Sequence, residues 1–79
     1  MNSDDLELAL LKAHAEQNMP ALVQLYTEVG NQCEAAGKTD AACFYLTHAY
    51  VFALDVGTDE ATELNERLVD YGRASPLDV

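Results

Sequence analysis

Residues 21–56 read ALVQLYTEVGNQCEAAGKTDAACFYLTHAYVFALDV, and the fold class is decided inside this stretch. On both sides of Gly37 the apolar residues recur at three- and four-residue spacing, which marks one face of a helix and not the alternation of a strand. In the first arm Leu22, Tyr26, Val29, Cys33 and Ala36 fall on one face. In the second arm Ala42, Leu46, Ala49, Ala53 and Val56 share a face of small and medium side chains, at about 100° per residue. Nearly every residue from Ala41 to Val56 is apolar, so this helix is expected to be the most buried of the chain. Gly37 suits the left-handed end of the first arm, and Thr39-Asp40 suits the cap of the second. A helical hairpin is the expectation.

Outward from the hairpin the same punctuation recurs. Asn2 or Ser3 can cap a first helix, and Asp4, Asp5 and Glu7 suit the positive end of its dipole. Asn18-Met19-Pro20 reads as a turn, with Pro20 near the first helical position, where its missing N–H costs nothing. Gly57 followed by Thr58-Asp59-Glu60 closes the third helix and opens a fourth that ends before Gly72. The expected fold class is therefore all-α, a four-helix antiparallel array with helices over about residues 4–17, 20–36, 40–56 and 59–71. They form a single domain over residues 1–73, with 74–79 as a flexible C-terminal tail. In the first helix Leu6, Leu10 and Ala13 form the inward stripe, widened by Leu8, Leu11 and Ala15. In the fourth, Ala61, Leu64, Leu68 and Tyr71 do so, while Glu63, Glu66, Arg67 and Asp70 turn mostly outward.

The central hairpin resembles one tetratricopeptide (TPR) repeat over Ala21 to Val56. Tyr26 stands where that family has a large aromatic, Val29-Gly30 where it has Leu-Gly, and Gly37 near its inter-helix turn. Ala42, Leu46 and Ala49 fall at its small, large and small packing positions. Gly30 opposite Ala42 would let two antiparallel helices approach closely while Tyr26, Val29 and Leu46 fill the remaining space. Cys33 departs from the family's tyrosine, the third helix runs about one turn long, and no proline closes it. The resemblance implies that the first and fourth helices act as caps, and that Gln24, Thr27, Asn31 and Glu34 line the peptide groove of the first arm. None of these is basic, so the cationic clamp that some family members use for peptide carboxylates is absent.

Composition narrows the partners. The chain of 79 residues is 49% apolar and 23% charged, too hydrophobic for disorder and small enough that burial and chain entropy nearly cancel. Fourteen Asp and Glu against four Lys and Arg give a formal net charge of −10. Such a surface repels phosphates and anionic lipid, so neither nucleic acid nor membrane is an expected partner, whereas a basic protein surface would be attracted. The longest strongly apolar segment, Ala41 to Leu54, is too short to span a bilayer. Two cysteines are too few for a disulfide scaffold, so cytoplasmic residence is expected, with Cys33 and Cys43 more often free thiols than a bridge.

No constellation announces a reaction. Cys43 and His48 lie five apart, about 140° around a helix, so they do not share a face as zinc ligands would. Nothing in the spacing gives Cys33 a base from His14 or His48, and His14 is expected on the outer face of its helix. The acidic clusters sit at helix starts, where carboxylates cap, and no glycine-rich phosphate loop is present. No metal, cofactor or enzymatic activity is expected. What remains is the face of the third helix opposite its small residues, Phe44, Thr47, His48, Val51 and Asp55, where apolar and polar side chains mix as on a contact surface. The sequence thus points to a small acidic protein-protein interaction module, an adaptor or subunit. The alternative is a homodimeric structural protein in which the same face pairs with itself.

Overall fold

The computed structural model describes residues 3–74, and over these the chain is all-helical. Its order is α1 (Ser3–Ala15), α2 (Met19–Ala35), α3 (Thr39–Val56) and α4 (Glu60–Asp70). Each helix packs on its neighbour in the chain, α1 on α2, α2 on α3 and α3 on α4, with the α2–α3 pair the most extensive. Only side chains reach past one helix. The result is a slab measuring 36 × 29 × 14 Å.

The ends of the helices follow local chemistry. Asn18 accepts a hydrogen bond from the Ala21 amide at 3.3 Å, and Pro20 sits in the first turn of α2. At the other end Gly37 has φ 76°, and the Lys38 amide reaches back to the Cys33 carbonyl at 2.9 Å, the six-to-one bond that closes a helix through a left-handed residue. Helix α1 ends two residues earlier than the sequence suggests. Gln17 takes the left-handed conformation itself, at φ 53°, and the Asn18 amide bonds the Ala13 carbonyl at 2.9 Å. The expected caps of α3 are displaced as well. Lys38 occupies the cap position with no side-chain cap bond, and Asp40, already inside the first turn, instead accepts a hydrogen bond from Arg73 at 2.6 Å. The expected cap residue Asn2 lies outside the described residues.

The core gathers Val23 of α2, Cys43, Leu46, Ala49 and Ala53 of α3, and Ala61, Leu64 and Leu68 of α4. Burying Leu22, Leu46 and Leu68 completely stabilises the fold by about 2 kcal/mol each before entropy is counted. Gly30 carries the closest approach: a Cβ added there would stand 2.8 Å from Leu46 Cγ and 3.5 Å from the Ala42 carbonyl oxygen. Ala74 rests against this core, and residues 75–79 of the expected tail lie outside the described residues.

Two expectations about side-chain direction need correction. In α1 only Leu6 and Ala13 are buried, whereas Leu8 and Leu11, at 66% and 62% exposure, form a separate outward face. Val56, placed by periodicity on the buried face of α3, is exposed because it is the last helical residue before Gly57 turns the chain away.

Candidate interaction surface

Helix α3 is apolar on both sides, and its two sides have different fates. Ala42, Leu46, Ala49 and Ala53 are at or near zero exposure. Roughly half a turn round the helix, Phe44 is 58% exposed, with Val51 and Leu54 at 49% each. These three, with Asp40, Thr47 and Asp55, span roughly 120° of helix surface and so form one stripe. Thr47 spends its hydroxyl locally, donating to the Cys43 carbonyl at 2.7 Å. Asp55 is exposed at the end of the stripe. Leu54 is absent from the sequence reading, although its spacing of three from Val51 and ten from Phe44 is a helical signal that places it there.

One flank of the stripe is aromatic. His48 stacks on Tyr26 at 5.2 Å between ring centroids and tilts against Phe44 at 4.5 Å. Its Nδ1 lies 2.9 Å from the Phe44 carbonyl oxygen, and since a carbonyl can only accept, Nδ1 carries the proton. Tyr26 also stacks on Tyr45 and Phe52, so three rings spread over about two turns of α3 rest on one tyrosine of α2. His14 is exposed on α1, as expected, and still reaches the hairpin. Its Nε2 is hydrogen-bonded to the Tyr26 hydroxyl at 2.9 Å and its ring meets Phe52 edge-on at 6.1 Å, so it joins α1 to the hairpin.

Beside Phe44 lies a shallow groove of about 460 Å³, lined by Asp40, Cys43, Phe44, Thr47, His48 and Arg73. The hydrogen bond from Arg73 to Asp40 bridges its rim and holds the guanidinium above its usual proton affinity. A further concavity, about 530 Å³, opens between α1 and α2, where Leu6, Leu10, Val29 and Cys33 meet Tyr45. Cys43 is buried and Cys33 half-buried, and both are free thiols. Among the described residues no group of three His, Cys, Asp or Glu side chains is placed to hold a metal ion. None of the described helices is long and apolar enough to cross a membrane.

The residues implied by the repeat resemblance, Gln24, Thr27, Asn31 and Glu34, follow one another at three- and four-residue spacing along one side of α2, away from the α3 stripe. Gln24 is exposed, and Thr27 is half-buried with its hydroxyl donating to the Val23 carbonyl at 2.7 Å. Asn31 accepts from Arg67 of α4 at 2.7 Å, and Glu34 takes both Arg67, at 3.4 Å, and the Tyr71 hydroxyl. Accepting that hydroxyl proton lets Glu34 raise the Tyr71 pKa above its ordinary value, with desolvation adding to the rise. Asn31 and Glu34 therefore tie α2 to α4. Comparison of the chain with protein-family models, with curated proteins and with solved structures found no match.

Proposed function

We propose that this chain is a small acidic protein-interaction module, an adaptor or subunit, whose docking surface is the outward stripe of α3. The observation that carries the reading is the exposure of Phe44, Val51 and Leu54 along one face of a helix whose opposite face is already filled. The aromatic layer of Tyr26, His48 and Phe52 gives that stripe a rigid backing, so a partner would meet a surface that needs little ordering. Asp55 at the end of the stripe, in a chain of net charge −10, favours a basic partner. The close fit of Gly30 against Leu46 supports a TPR-like reading of the hairpin, and the two free thiols support a cytoplasmic setting.

Capture with the full chain, compared between the natural sequence and the double variant Phe44→Ser/Val51→Ser, tests the reading. Both sites are exposed, so the variant should keep its helical circular dichroism and its melting temperature within a few degrees. The expected result is a stoichiometric protein partner that is retained at low salt by the natural chain and lost by the variant. Equal capture by the two chains would sink the proposal. Loss of self-association alone would assign the stripe to a homodimer.

A further inference from the structure

Helix α1 carries a second surface that the α3 stripe does not explain. It lies at the edge of the slab, packed on α2 through Leu6 and Ala13, and presents Leu8 and Leu11 outward as the two most exposed large apolar side chains of the described chain. The helix is acidic in its first turn and basic in its last, with Asp4 and Asp5 at one end and Lys12 and His14 at the other. Spacing sharpens this polarity. Asp5 and Lys12 are seven residues apart and so share one flank of the leucine face, and Glu7 and His14, also seven apart, share the other. All four are exposed.

A two-fold axis between Leu8 and Leu11 reverses the direction of a second helix while keeping each flank on its own side. Leu8 then meets the partner's Leu11, and Asp5 meets the partner's Lys12. A parallel arrangement would bring Asp5 against the partner's Glu7, acid against acid, so the charge pattern selects the antiparallel one. We infer that α1 is a self-association surface, and that two copies of this chain pair through antiparallel α1 helices. The pairing is local and holds despite the net charge, because opposite charges face each other within the contact while the remaining acidic surface points away. It leaves the α3 stripe free and does not rest on the function proposed for it.

Two leucines per copy make a contact well below the size of a permanent interface, so the dimer forms at roughly 0.1–1 mM chain. Sedimentation equilibrium of the full chain across that range gives the test. The expected result is a concentration-dependent rise from monomer to dimer mass, abolished by Leu8→Ser/Leu11→Ser and unchanged by Phe44→Ser/Val51→Ser. A charge series guards against a variant that merely unfolds. Lys12→Glu should weaken the dimer about tenfold or more, and Asp5→Lys combined with Lys12→Glu should restore it, since the exchange rebuilds both pairs across the axis. Monomer mass throughout, a dimer that survives loss of both leucines, or a double charge exchange that fails to restore association would each overturn the inference.

Discussion

Replacing Gly30 with alanine should destabilise the fold, although alanine is the better helix former. An added Cβ would lie 2.8 Å from both Cγ and Cδ2 of Leu46, about 1 Å inside ordinary carbon contact. Leu46 cannot step aside. It is completely buried in the cluster of Val23, Ala49, Ala53, Leu64 and Leu68, so α2 and α3 must separate or Leu46 must leave its rotamer. Overpacking of this kind costs about 2–3 kcal/mol, against about 1 kcal/mol recovered by removing glycine from a helix interior. The net loss is about 1–2 kcal/mol, which for a domain of this size lowers Tm by roughly 5–15 °C. Thermal and urea unfolding followed by circular dichroism at 222 nm would read it. A double-mutant cycle makes the reasoning sharper. Leu46→Ala alone costs about 2–5 kcal/mol, and in that background Gly30→Ala should become neutral or stabilising, a coupling of about 2 kcal/mol. An unchanged or higher Tm for Gly30→Ala, or strict additivity in the cycle, would refute the account of the crossing.

Other residues give independent checks. Gln17 holds a left-handed backbone at φ 53° without being glycine, so Gln17→Gly should stabilise the chain by about 0.5–1 kcal/mol and raise Tm by a few degrees in the same assay. Tyr71 keeps its proton more tightly when folded, because it donates to Glu34. Its contribution is therefore complete below the ordinary tyrosine pKa of about 10 and is lost as pH rises through the higher folded value. Urea midpoints measured from pH 8 to 11 should fall more steeply above pH 10 for the natural chain than for Tyr71→Phe, and parallel curves would contradict the role of that bond.

Much of this architecture is written in the glycines and the apolar spacing. Gly37, Gly57 and Gly72 each end a helix with positive φ, and Pro20 opens one, so these four helix boundaries are legible from the chain alone. The close approach of the two arms was readable from Gly30 and Ala42, small residues on facing sides, but the tightest contact at Gly30 is with Leu46, which the sequence marked only as a filler of the space around it. The direction of α1 was not legible. Leu6, Leu8, Leu10 and Leu11 encircle most of the helix, and periodicity cannot say which of two apolar faces finds a neighbour. The hydrogen bond between His14 and Tyr26 was not legible either: the two are twelve residues apart, and no local pattern encodes a bond formed only when α1 folds back on α2. On α3 the outward stripe was readable, since its apolar residues outnumber those one core face can use, but the groove beside Phe44 was not. Its far wall is Arg73, contributed from beyond Gly72 by a segment with no apolar period.

Helices whose backbones pack closely only on the helices before and after them in the chain have a kinetic consequence. Most contacts close short loops, so the contact order is low and the chain should fold on the microsecond to millisecond scale of helical bundles. Folding of this kind can spread from a nucleus at the α2–α3 crossing toward either end, much as a stack of repeats grows by adding one unit at a time. Helix α1, whose backbone packs closely on α2 alone, is then the last to zip and the first to fray, and its amides should exchange with solvent faster than those flanking Gly30.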